Sequence, residues 1–125
     1  MSNDALWLID LFRIQIDCYR DELVNTRIKR EKFNRFSYSA WAITETLLAI
    51  ENYEGYVCVG TIREILKMQL YDYKKYSKGR SEIHQNYLYA AEVIEYLLTL
   101  TDGYVSDEYV TDEYAMNMMG GHLYD

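Results

Sequence analysis

The chain contains no proline, and its six glycines fall at the margins of periodic apolar stretches. Proline is the residue that most sharply breaks a helix, and a glycine just beyond a periodic run suits the left-handed turn that closes one. Gly55, Gly60, Gly79, Gly103 and the pair Gly120-Gly121 therefore punctuate the chain into four long segments and a short last one. Within the long segments apolar residues recur at three and four, the spacing of one helical face. The expected fold is all-α, a bundle of four main helices plus a short C-terminal helix. With 125 residues, half of them apolar, one domain can bury a core without staples.

The first helix is expected over residues 4–31, with Ser2 or Asn3 as N-cap. Its inner face is Ala5, Leu8, Ile9, Phe12, Ile16, Tyr19 and Leu23. A second apolar stripe, Trp7, Leu11, Ile14 and Cys18, is rotated from it by roughly 140°. Asp10, Arg13, Asp17, Arg20, Arg27 and Glu31 fill the remaining arc as a solvated ladder of charges. The second helix runs from a cap at Ser37 or Ser39 to Gly55, burying Ile43, Leu47 and Ile50 with Trp41 and Leu48 alongside. "YVCVG" at 56–60 is a short β-branched patch with no strand to pair with, so it is expected to be a buried connection.

Thr61 and Glu64 have the spacing of a capping box and open the third helix, whose inner residues are Ile62, Ile65, Leu66, Tyr73 and Tyr76. The fourth helix extends from Ser81 to Asp102 and stops at Gly103. Ile83, Tyr87, Ala90, Ala91, Ile94, Leu97 and Leu98 form its core face, and Tyr89, Val93, Tyr96 and Leu100 a second stripe. A helix with two apolar stripes is either central or covered by a partner. Helices one and four thus form the centre or carry a homo-oligomer interface.

All thirteen Lys and Arg lie in residues 1–80 against eleven acids, a balance of +2, whereas residues 81–125 hold nine acids and no Lys or Arg, a balance of −9. The basic residues form two clusters near helix ends: Arg27, Lys29, Arg30, Lys32 and Arg35, then Lys74, Lys75, Lys78 and Arg80. Cations there complement the helix dipole. Alternatively they form a phosphate-binding patch, with Phe33, Phe36 and Tyr76 as stacking groups.

Beyond Gly103 the chain repeats itself: "YVSDE", "YVTDE", then Tyr114. Ser106 and Thr111 are suited to cap helix starts whose first turns carry Asp107, Glu108, Asp112 and Glu113. Capping accounts for hydroxyls and carboxylates, but not for Tyr104, Tyr109 and Tyr114. Fourteen of the residues are tyrosine, a side chain that suits interfaces because it buries a ring and keeps a polar tip. The domain is therefore read as a bundle over 1–103 with an acidic, tyrosine-rich segment, 104–125, packed on or beside it. Tyr104, Asp107, Glu108, Tyr109, Asp112, Glu113 and Tyr114 are the candidate partner-binding residues, with half-buried packing as the alternative for the tyrosines.

Catalytic signatures are sparse. No HExxH, phosphate-binding loop, nucleophile elbow or dinucleotide fingerprint occurs, so no catalytic residue, metal ligand or cofactor is assigned, and an enzyme is not expected. His84 is expected to be a solvent-exposed structural histidine. Arg80 and His84 in "RSEIH" resemble in kind the Arg–His pair of HEPN ribonucleases, which are helical bundles, but the spacing is one residue short and no family is assigned.

Cys18 and Cys58 form no pair motif and read as buried thiols of a reducing compartment. The acidic opening Met1-Ser2-Asn3-Asp4 is unlike a signal peptide and no apolar run reaches membrane-span length, so a cytoplasmic location without membrane contact is expected. The function expected is a non-catalytic binding protein whose acidic C-terminal third covers a basic surface of a nucleic-acid-handling protein. Small inhibitors made by mobile elements fit by size and charge. The alternative is a nucleic-acid-binding regulator using the two basic clusters.

Overall fold

The computed structural model describes residues 1–25 and 27–120, the last sixteen as backbone. Four helices follow one another: α1 (Asn3–Leu23), α2 (Arg30–Glu51), α3 (Val59–Tyr76) and α4 (Glu82–Gly120). No strand occurs among the described residues. Short connections reverse the chain each time. Tyr19 meets Phe36, Trp41 meets Tyr73, and Tyr73 meets Tyr87, so each helix is antiparallel to the one before it. The architecture is an up–down–up–down bundle in which α2 and α4 are the inner pair, α1 packs chiefly on α2, and α3 chiefly on α4.

The core is the set of faces expected from the three-and-four spacing. Leu8 and Phe12 of α1, Ile43 of α2, Ile62 and Leu66 of α3, and Ile94 and Leu97 of α4 are fully buried. A buried side chain of this size contributes roughly 1.5–3 kcal/mol relative to exposure. One polar tie crosses that core: the buried Thr46 hydroxyl donates to the Ala42 carbonyl at 3.0 Å, and it lies 2.7 Å from Gln69 Oε1.

Several boundaries differ from expectation. α1 ends at Leu23 rather than 31, because Asn25 turns the chain: its Oδ1 accepts from the Arg27 N–H at 3.0 Å. α2 starts at Arg30, two turns before Ser37, with no side-chain cap. Phe36 packing on Tyr19 and the Arg30 and Arg35 contacts to α4 hold those turns instead. α2 ends at Glu51 and leaves Gly55 in the connection at φ +130°.

α3 begins at Val59, so Thr61 is its third residue and not its cap; the Thr61 hydroxyl accepts from the Cys58 N–H at 3.2 Å. Burying Val59 and Ile62 together favours that earlier start. Val57, Cys58 and Val59 are buried as the reading of "YVCVG" requires, while Tyr56 is exposed. α4 runs on through Gly103 to Gly120. Glycine inside a helix costs about 1 kcal/mol, too little to end one anchored at the buried Thr101.

The two double-striped helices resolve differently. In the second stripe of α4, Tyr89 and Val93 are buried, Leu100 is half-buried and Tyr96 is exposed; α4 packs on both α2 and α3 and is central. Among the described residues no helix covers the outer side of α1: Trp7 is 63% exposed and Ile14 54%, and Cys18 is exposed rather than buried. Ile83 and Tyr76, expected inward, are both more than half exposed.

Candidate functional site

Three of the nine residues of the basic clusters, Arg30, Arg35 and Lys74, are answered by carboxylates within the molecule. Arg30 Nε and its terminal nitrogen donate to the Glu82 carboxylate at 2.6 and 2.8 Å, and Asn34 adds a third bond at 2.9 Å. Those donors, Arg30 first, pull the Glu82 carboxyl down to about 2. Arg35 lies 3.1 Å from Glu92 and 4.5 Å over the Tyr89 ring. Lys74 lies 3.1 Å from Glu95. Arg27, Lys29, Lys32, Lys75 and Lys78 are exposed. The two clusters do meet at one end of the bundle, where Arg30 and Arg80 line a single cleft with Ser81, Glu82, Gln85 and the buried Asn86. Asn86 Oδ1 in that cleft is buried without a hydrogen-bond partner among the described residues. His84 is half-buried rather than exposed; Ser81 Oγ lies 2.6 Å from its Nδ1, and its ring covers Gly79.

In the C-terminal repeat, Tyr104 is half-buried and packs on the core. The side chains of Asp107, Glu108, Tyr109, Asp112, Glu113 and Tyr114 lie outside the described residues.

α1 carries a second candidate surface. Trp7, Ile14 and Cys18 form an exposed stripe rotated away from the buried face, whereas Leu11 of the same stripe is half-buried and packs on the core. Asp10, Asp17 and Asp21 follow Trp7, Ile14 and Cys18 at i+3 and line one margin, while Asp4 and Glu22 stand at the two ends. Arg13 approaches Asp10 at 3.7 Å from the far side, with both side chains about two-thirds exposed. Such a pair is largely screened by solvent. Beside the stripe, Met1, Leu6, Leu47 and Leu48 line an apolar groove between α1 and α2.

Sequence reasoning missed an aromatic cluster assembled from three helices. Tyr38 and Trp41 of α2, Tyr73 and Tyr76 of α3, and Tyr87 of α4 form one chain of ring contacts with centroids 5.2–6.2 Å apart. Tyr73 is buried, and burial pushes its phenol above the ordinary value. Trp41 remains 38% exposed. The i+3 spacings of Tyr38 with Trp41 and of Tyr73 with Tyr76 were legible; their convergence across helices was not.

Among the described residues, no three His, Cys, Asp or Glu side chains are grouped as metal ligands would be, and no helix is long and apolar enough to cross a membrane. Comparison with protein-family models, with curated proteins and with solved structures gives no match.

Proposed function

We propose that the chain is a non-catalytic binding protein that docks on a macromolecular partner with a basic surface. The observation that carries this reading is the outer face of α1, where an exposed apolar stripe is bordered by carboxylates. Apolar anchors inside a charged rim are how an interface combines affinity with a sign preference. A second copy of α1 would set acids against acids, so the face is read as complementary to a cationic partner. Arg30, Arg35 and Lys74, three of the residues a phosphate patch needs, are each within 3.1 Å of an α4 carboxylate. The acidic repeat at 104–114 is read as a further acidic contribution to that docking, and a nucleic-acid-handling protein, inhibited by a small acidic mobile-element product, as the class of partner.

The test is capture from lysate at low and high salt, with wild type and a Trp7→Ser/Ile14→Ser variant. Capture should fall as salt rises and fall again in the variant. Equal capture by both proteins would remove α1 from the reading. Binding to plain duplex DNA at low salt, with a log–log slope of about −0.9 per contact, would instead favour the cleft of Arg30 and Arg80.

A further inference from the structure

Three rings enclose a cleft that the α1 face does not use. The Tyr38 ring stands at 68° to the Trp41 indole and the Tyr87 ring at 77°, with centroids 5.9 and 6.2 Å away. Both phenol rings are thus steeply inclined to the indole. With Ser37 they line an open cavity of about 430 Å³, so three of its four lining side chains are aromatic.

Packing behind the cleft fixes its shape. Buried Tyr73 lies 5.4 Å from Trp41, and Tyr76 lies 5.2 Å from Tyr87. The site is therefore largely preformed, which lowers the cost of ordering it around a ligand.

The chemistry of the surroundings selects the ligand. Aromatic faces carry negative charge density and attract a cation within about 6 Å of the ring centre. Burial first, and then the neighbouring Glu45 and Asp72 carboxylates, raise the Tyr73 phenol. Glu45 sits one helical turn beyond Trp41. Lys74, the neighbour of Tyr73, points to Glu95 at 3.1 Å. Among the described residues no cationic side chain lines the cleft, so a nucleotide phosphate finds no counter-charge in its lining.

We propose that the cleft of Tyr38, Trp41 and Tyr87 is an aromatic box that takes a cationic side chain, an arginine guanidinium or an alkylated lysine ammonium, from a protein partner. The inference rests on the docking reading for the source of that side chain. The box itself can be tested without the partner.

The chain has two tryptophans, so the Trp7→Phe protein reports on Trp41 alone. Its fluorescence is followed against the peptides Gly-Arg-Gly and Gly-trimethyllysine-Gly, against the same peptide with the neutral tert-butyl isostere of trimethyllysine, and against adenosine monophosphate. Saturable binding of a cationic peptide is expected, with the neutral isostere about tenfold weaker. Followed by calorimetry, Trp41→Leu and Tyr38→Leu should abolish the signal, whereas Trp41→Phe and Tyr38→Phe keep part of it; circular dichroism melts confirm that each variant folds.

Equal affinity for the charged and neutral peptides, preference for adenosine monophosphate, or no saturation by about 10 mM peptide would each overturn the box. The two readings fail separately. Peptide binding without lysate capture removes the docking partner and leaves the box; lysate capture without peptide binding does the reverse.

Discussion

Two glycines that look alike in sequence have opposite roles. Gly79 has φ +154°, and a Cβ built there would clash with the His84 ring. Gly103 lies in α4, and no neighbour among the described residues comes within 4 Å of an added Cβ. Gly79→Ala is expected to lower stability by about 1–3 kcal/mol, and Gly103→Ala to raise it by about 0.5–1 kcal/mol. Chemical denaturation checks both. Loss of stability in Gly103→Ala would mean that the helix ends there in a left-handed turn.

Glu82 gives a residue-scale test of a different kind. Its carboxyl is held down to about 2 by Arg30 and then Asn34. A depressed folded-state pKa contributes stability above the ordinary value near 4.5, and that contribution is lost as pH falls from there towards 2. Carbon-13 titration of the Glu82 carboxyl should place its midpoint well below the ordinary glutamate value. Glu82→Gln should flatten the dependence of Tm on pH over that window. The contact is exposed, so the change is small.

At the scale of the elements, α1 separates packing from recognition on one helix. Phe12 is fully buried and Trp7 mostly exposed. Phe12→Ala should cost about 3–5 kcal/mol, while Trp7→Ser and Ile14→Ser should each stay within about 0.5 kcal/mol. Thermal melts beside the capture assay distinguish the two faces. The inner faces were readable because a helical period leaves an unambiguous stripe: Ala5, Leu8, Ile9, Phe12 and Ile16 are all buried. Boundaries were not, because the first turns of α2 depend on Tyr19, Glu82 and Glu92, residues supplied by other helices. The aromatic box is a similar case, since Tyr87 is distant in sequence from Tyr38 and Trp41. In the repeat, capping logic assumed a break at Gly103 that α4 does not make. A five-residue period on a continuous helix rotates successive copies by roughly 140°, so the repeat does not define a single stripe.

For the whole molecule, the uneven charge of the sequence becomes an internal arrangement. Acids of α4 reach back to both earlier inner and outer helices: Glu82 and Glu92 to α2, Glu95 and Asp102 to α3. None of these four pairs involves α1, which packs chiefly on α2 and whose start is held by the Ser2 N–H bond to the Val57 carbonyl at 3.0 Å. The bundle is therefore cooperative to different depths. Amide hydrogens of α1 should exchange through a sub-global opening of lower free energy than those of residues 89–98 in α4. Native-state exchange followed by mass spectrometry resolves the two sets, and equal protection would show that the helices open only together. A ligand that clasps the outer face of α1 would then slow the exchange of that helix first, turning a docking event into a change in how often the molecule breathes.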